Sequence, residues 1–216
     1  MTLNKKKLSI IAHRGYWIDA SEKNTSVAFI RALEHGFGIE TDFRDFNGEL
    51  VVSHDVPIHG AMKITEFVDL YKKMPVLAPM ALNIKSDGLY PLVKDLIIQA
   101  GITNYFVFDM SVPDARGYLA EHIPVFTRLS EYETAPAFLV QSCGVWLDAF
   151  ESEWYNEKII QNLIGQGKQV AIVSPELHRR PHLQLWKLLK THNFHKNELV
   201  SLCTDFPLEA KDYFNA

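Results

Sequence analysis

Gly38 to Asp55 reads GIETDFRDFNGELVVSHD, and this run decides how the chain is organised. Ile39, Thr41 and Phe43 are strand formers that alternate with Glu40 and Asp42. Side chains two apart on a strand leave the same face, so both carboxylates enter one volume. Asn47-Gly48 is a strong hairpin turn signal. Glu49 to Ser53 then returns as a second short strand and delivers His54-Asp55 to its end.

Upstream, Leu8-Ser-Ile-Ile-Ala12 is a mostly apolar strand run that ends in His13-Arg14-Gly15. A second imidazole and a guanidinium therefore stand at another strand end. Two acids, two imidazoles and a cation suit a divalent metal, a phosphate and two proton carriers.

The chain has 216 residues, 47% of them hydrophobic, which fits a single domain over residues 1–216. Its formal charge is −4 with no long run of either sign, so a DNA or RNA partner is not expected. Cys143 and Cys203 are too few for a disulfide framework and lack metal-type spacing, which points to a reducing, cytoplasmic setting. Lys5-Lys-Lys7 before the first apolar run faintly mimics a signal peptide, but His13-Arg14 cuts that run short. No stretch approaches the roughly 20 apolar residues of a membrane span.

Along the chain, apolar strand runs at 8, 39, 81, 105, 124, 145, 169 and 199 alternate with helical patterns. The helices are expected over Thr25–His35 with Asn24 or Thr25 as N-cap, and over Glu66–Lys73 with Thr65 as cap and Pro75 as terminator. Others are expected over Leu89–Ala100, over Pro113–Glu121, near Ala135–Gln141, near Asn156–Gly165, near Leu183–His192 and from Leu208. Near-continuous apolar strands are those that parallel sheets bury on both faces. Eight βα units predict an α/β fold, a small (β/α)8 TIM barrel. An open doubly wound sheet is the alternative, weakened because His13-Arg-Gly-Tyr16 is no GxGxxG loop.

Polar residues recur at the carboxyl ends of these strands: His13-Arg14, Glu40 and Asp42, Lys85, Asp109, Arg128, Asp148, Ser174 with Glu176, and Thr204-Asp205. In a barrel they meet on the rim that carries active sites, which predicts an enzyme. Asp109, Asp148 and Glu176 are divided between rim salt bridges and substrate contact. Most other histidines read as surface residues, with His178-Arg-Arg180 open as a second anion contact. Tyr16, Trp17, Phe150 and Trp154 are open between lining a head-group pocket and packing.

These residues resemble a known family. His13-Arg-Gly15, Asn24-Thr25 with Ala28-Phe29, Glu40-Thr-Asp42, Asn47-Gly48, Val51-Val-Ser-His54-Asp55 and Thr204-Asp205-x-Pro207 are similar to the motifs of glycerophosphodiester phosphodiesterases, from first strand to last. The resemblance implies a (β/α)8 barrel that hydrolyses a small-molecule phosphodiester. It implies Mg2+ or Ca2+ on Glu40 and Asp42, His13 and His54 as acid and base, and Arg14 and Lys85 as phosphate contacts. The chain departs from the pattern twice. Glu22-Lys-Asn-Thr25 replaces Pro-Glu-Asn-Thr, and Asn83 stands where the family places a third acidic ligand. A carboxamide oxygen ligates a hard cation but adds no charge, so metal affinity should fall unless Asp109 or Asp148 compensates. Asp55 is expected to orient an imidazole or a loop. Two other functions are carried forward: a phospholipase-like cyclising phosphodiesterase, and a barrel that binds phosphoryl ligands without turnover.

Overall fold

The computed structural model describes residues 8–58, 60–74 and 78–215. It divides into two compact units, one from Ile11 to Phe126 and the other from Thr127 onward with the chain before Ile11. In the first, the order is β1 (Ser9–His13), α1 (Ser26–Glu34), β2 (Gly38–Phe46), β3 (Glu49–Val52), β4 (Met62–Lys63), α2 (Ile64–Lys73), β5 (Met80–Ile84), α3 (Tyr90–Ala100), β6 (Tyr105–Phe108) and α4 (Val112–Ala120). β1, β2, β5 and β6 are parallel, with His13 opposite Glu40 and Asp42 opposite Asn83.

The register of β2 decides where the histidines go. Ile39 has Ala12 on one edge and Met80 on the other, and Phe43 has Ile84 on one edge and Val52 on the other. Since β5 occupies one edge at both positions, β1 and β3 share the opposite edge. β1 climbs it as far as Glu40, and antiparallel β3 descends it to Phe43. The Ser53 N–H then donates to the Asp42 carbonyl at 3.0 Å. The two histidine-bearing ends therefore face each other across Thr41 and Asp42. The turn that makes this possible has Asn47 and Gly48 both at positive φ, 53° and 81°, as a two-residue hairpin of primed type requires.

This unit's core is aromatic. Phe67 meets Phe29 and Phe43 edge-on at 5.6 and 5.9 Å, and Phe106 stacks on Phe126 at 3.7 Å. Each such buried ring contributes about 1.5–3 kcal/mol. The sixth residue of β2 is still buried and only the last three emerge, so Glu40 and Asp42 lie in the interior part of the strand.

The second unit runs β7 (Phe126–Leu129, its first residue closing the unit before), β8 (Gly144–Leu147), α5 (Glu157–Gly165), β9 (Gln169–Val173), α6 (Leu183–Thr191), β10 (Val200–Thr204) and α7 (Pro207–Asn215). The sheet order is β7-β8-β9-β10, with β8, β9 and β10 parallel. Its core gathers Val145, Leu147, Ile172 and Leu202 around fully buried Trp186. The Trp186 indole N–H is satisfied by the Ser174 hydroxyl at 2.9 Å. Asn156 caps α5 by accepting from the Lys158 and Ile159 amides.

All eight expected strands form, and the hairpin adds β3 and β4. Two helices differ from expectation. α2 begins at Ile64, straight after β4, so Lys63 holds the cap position and Thr65 lies in the first turn; Pro75 lies outside the described residues. Residues 135–141 form turns instead of a helix. Pro136 lacks a donor, Phe138 takes φ +61°, and buried Lys168 donates to the carbonyls of Val140 and Ser142 at 3.0 and 2.6 Å. No helix among the described residues is long and apolar enough to cross a membrane.

Candidate active site

Glu40 and Asp42 are 2% and 1% exposed, a pair of neighbouring carboxylates withdrawn from water. Asn83, across from Asp42 on β5, donates its amide N–H to Glu40 Oε1 at 3.3 Å. The Arg14 backbone N–H donates to Glu40 Oε2 at 3.2 Å. Around Asp42, Asn24 Nδ2 donates to Oδ2 at 2.8 Å, Arg14 Nε stands 3.3 Å from the same oxygen, and Lys85 Nζ stands 3.4 Å from Oδ1. Burial pushes the Glu40 carboxyl up to about 8, helped by the Asp42 charge and opposed less strongly by Lys85, Arg14 and the Asn83 hydrogen bond. Asn83 Oδ1 and Asp42 Oδ1 are buried without a hydrogen bond. Buried oxygens of that kind require an explanation. Among the described residues no three His, Cys, Asp or Glu side chains gather to hold a metal ion. The oxygen set here is two carboxylates and one carboxamide, a donor chemistry that suits a hard cation.

The loop after β1 is folded tightly against α1 to bring Arg14 and Asn24 to these acids. Arg14 and Gly15 both take positive φ, 56° and 84°. A Cβ at Gly15 would sit 2.8 Å from the Ala28 Cβ, so only glycine allows this approach. Asn24, at φ +58°, donates its backbone N–H to the Arg14 carbonyl at 2.9 Å and accepts from the Thr41 hydroxyl at 2.9 Å. Glu22 staples the loop to α1: it pairs with Arg31 at 2.8 Å and accepts the Ile18 N–H at 2.8 Å. The Arg31 hydrogen bond, then the Ile18 amide, hold its carboxyl down to about 2. Trp17 Nε1 donates to the His13 carbonyl at 3.1 Å, and the Lys23 ammonium lies 4.3 Å from the Trp17 ring centroid.

His13 Nε2 stands 3.9 Å from Glu40 Oε2, a charge contact too long for a hydrogen bond. The His54 side chain is 41% exposed, and its Nδ1 lies 2.8 Å from Asp55 Oδ1. With Asp55 ionised, the His54 Nδ1 carries a proton and donates it to this contact. Asp55 is held below the usual carboxylate range by the His54 hydrogen bond and then the His54 charge, with smaller contributions from Arg14 and Arg44.

Lys85 also reaches Asp109, with Oδ2 at 3.8 Å, so Asp109 joins this cluster. Asp148 belongs to the second unit, where its Oδ1 accepts from the Ala149 N–H at 2.8 Å and lies 2.7 Å from His178 Nε2. There Glu176 accepts from the Thr204 hydroxyl and the Asp205 amide. Tyr16 packs edge-on against His35 and Phe37, a packing role. Sequence reasoning missed Asn24 as the clamp on Asp42 and Arg44, which donates to the His54 carbonyl at 3.1 Å. The available signal for Asn24 was an asparagine, tolerant of left-handed backbone, just outside a helix.

No family model matches the chain, and no curated protein matches it. Solved structures do. A glycerophosphodiester phosphodiesterase from Agrobacterium tumefaciens is similar with a TM-score of 0.69 at 16% identity, over 96% of this chain and 98% of that one. A phosphodiesterase from Oleispira antarctica, in complex with the product sn-glycerol-3-phosphate, gives 0.72 at 13%, over 97% and 98%. A Ca2+-dependent phosphatidylinositol-specific phospholipase C from Streptomyces antibioticus gives 0.59 at 11%, over 99% and 98%. At such identities it is the fold that these likenesses show: the chain has the (β/α)8 TIM-barrel fold shared by the glycerophosphodiester phosphodiesterases and phosphatidylinositol-specific phospholipase C.

Proposed function

We propose that residues 1–216 act as one domain that hydrolyses a phosphodiester with a divalent cation, Mg2+ or Ca2+. The substrate is a small glycerophosphodiester, cleaved to glycerol 3-phosphate and an alcohol. One observation carries this reading: Glu40 and Asp42 are buried side by side next to the unpartnered Asn83 oxygen, between two strand ends that each carry a histidine. Two buried carboxylates cost several kcal/mol each unless charge meets them. Arg14 and Lys85 meet part of that need at Asp42. The Ca2+ dependence of the Streptomyces enzyme and the sn-glycerol-3-phosphate held by the Oleispira enzyme support the same reading.

Glu40, Asp42 and the Asn83 carbonyl oxygen would hold the cation, with Asp109 close by through Lys85. When bound, such an ion neutralises phosphate charge as a Lewis acid. Arg14 and Lys85 stand beside Asp42 with donors that match phosphate oxygens. One histidine takes the proton of the attacking water and the other gives a proton to the departing alkoxide. The bond from phosphorus to the water oxygen forms, the bond to the alcohol oxygen breaks, and the imidazoles return to their starting states through solvent. Asp55 fixes the tautomer of His54.

The test is turnover of a glycerophosphodiester panel with Mg2+ or Ca2+, with and without chelator. Glycerol 3-phosphate is the expected product. A cyclic phosphate would show that the substrate's own hydroxyl attacks instead. Binding of phosphate esters without turnover of any diester would overturn the hydrolase reading.

A further inference from the structure

We infer that Lys23 selects substrates whose alcohol portion carries a negative charge, an inference that rests on the phosphodiesterase reading of the site. Every other cation described around the acid pair faces a carboxylate or a carbonyl. Arg14 faces Asp42 at 3.3 Å, Lys85 faces Asp42 and Asp109, Arg31 faces Glu22 at 2.8 Å, and Arg44 bonds the His54 carbonyl. Lys23 pairs with no acid among the described residues; its ammonium rests on the face of Trp17. A cation–π seat of this kind is worth about 0.5–1 kcal/mol and does not neutralise the charge.

The seat is fixed relative to the site from two directions. Trp17 is tied to the His13 carbonyl, and the residue after Lys23 is Asn24, which bonds both Asp42 and the Arg14 carbonyl. The acids on the same loops are already engaged: Asp19 accepts from the Ser21 N–H and hydroxyl, Glu22 from Arg31, and Asp55 lies against His54. One positive charge with no acid partner among the described residues therefore rests on Trp17, whose indole is tied to the His13 carbonyl. The scissile phosphate has Arg14 and Lys85 as contacts, so the charge of Lys23 is left for the group beyond it. An alcohol bearing a second phosphate fits, and one bearing a quaternary ammonium is repelled.

The experiment compares kcat/KM for glycerophosphoinositol 4-phosphate, glycerophosphoinositol and glycerophosphocholine at fixed Ca2+, in the wild type, Lys23→Gln and Lys23→Arg. A partly exposed charge pair is worth up to about 1 kcal/mol, roughly fivefold. Relative to glycerophosphoinositol, Lys23→Gln lowers the anionic substrate about fivefold, chiefly through KM, and raises the choline substrate, while Lys23→Arg keeps the wild-type order. An equal loss on all three substrates, or no change, overturns the inference. Turnover of none of them by the wild type removes the phosphodiesterase reading alone. Calorimetric binding of the same three compounds then decides Lys23: tighter binding of the anionic one that Lys23→Gln abolishes upholds its role, and binding blind to head group, or none, overturns it.

Discussion

Asn83 lies across the sheet from Asp42 in register and donates its amide N–H to Glu40 at 3.3 Å, so one residue of β5 stands against both acid positions of β2. Its carbonyl oxygen is buried and unpartnered. Asn83→Asp adds a third negative charge to this oxygen set. Cation affinity should rise about tenfold, and the cation-free protein should lose about 1–3 kcal/mol from added carboxylate repulsion. Calcium titration calorimetry and urea unfolding, with and without Ca2+, measure the two effects. Unchanged affinity would remove Asn83 from the coordination set.

Glu40 predicts a pH dependence with a definite sign. Its carboxyl is pushed up to about 8 by burial beside Asp42, from an ordinary value of 4.5. Between those values the folded chain holds a proton that the unfolded chain has lost. The resulting stability is fully present below about 4.5 and is lost as pH rises through 8. A cation competes with that proton, so binding at pH 7 should release close to one proton and binding at pH 9 far less. Calorimetry in buffers of different ionisation enthalpy reads this directly. Glu40→Gln should abolish the release, whereas wild-type binding at pH 7 without proton release contradicts the assignment.

His13 and His54 should each be worth about 10²–10⁴ in kcat when replaced by alanine. Neither replacement should unfold the chain, because both side chains retain exposure, 14% and 41%. Asp55→Asn should cost less, about 10–100-fold, since it alters only the orientation and tautomer of His54. Steady-state kinetics on one glycerophosphodiester, with circular dichroism as the fold control, give the ranking. An Asp55→Asn loss exceeding that of His54→Ala would contradict it.

Two glycines separate steric from conformational cost. Gly15→Ala brings a Cβ to 2.8 Å from Ala28 and 2.9 Å from Phe29 at φ +84°, and should destabilise by about 2–4 kcal/mol. Gly36→Ala meets nothing within 4 Å at φ +74°, and should cost only about 1 kcal/mol. Urea denaturation of both variants checks the order.

The parallel strands were legible because their apolar runs, residues 145–147 and 170–173 among them, are buried on both faces. Asn47-Gly48 announced the hairpin through its demand for two positive φ values. Other features depend on contacts distant in sequence. Asn24 reads locally as a helix cap, yet its partner Asp42 is 18 residues away. β4 has two residues, and only its pairing with β3 makes it a strand and moves the start of α2. Residues 135–141 have helical composition around Pro136, but the carbonyls of Val140 and of Ser142 just beyond are claimed by Lys168 from far along the chain. Asp148 lies 2.7 Å from His178, a partner 30 residues away that no local pattern announces.

The central claim is that Glu40 and Asp42 hold a divalent cation at which His13 and His54 cleave a phosphodiester. Its most direct measurement is glycerol 3-phosphate release from a glycerophosphodiester by the purified chain at neutral pH, with Ca2+ or Mg2+ and with chelator, in the wild type and in Glu40→Gln. The account predicts release by the wild type that the chelator stops and the metal restores, and none by the variant. Turnover that is indifferent both to chelator and to Glu40→Gln would contradict it.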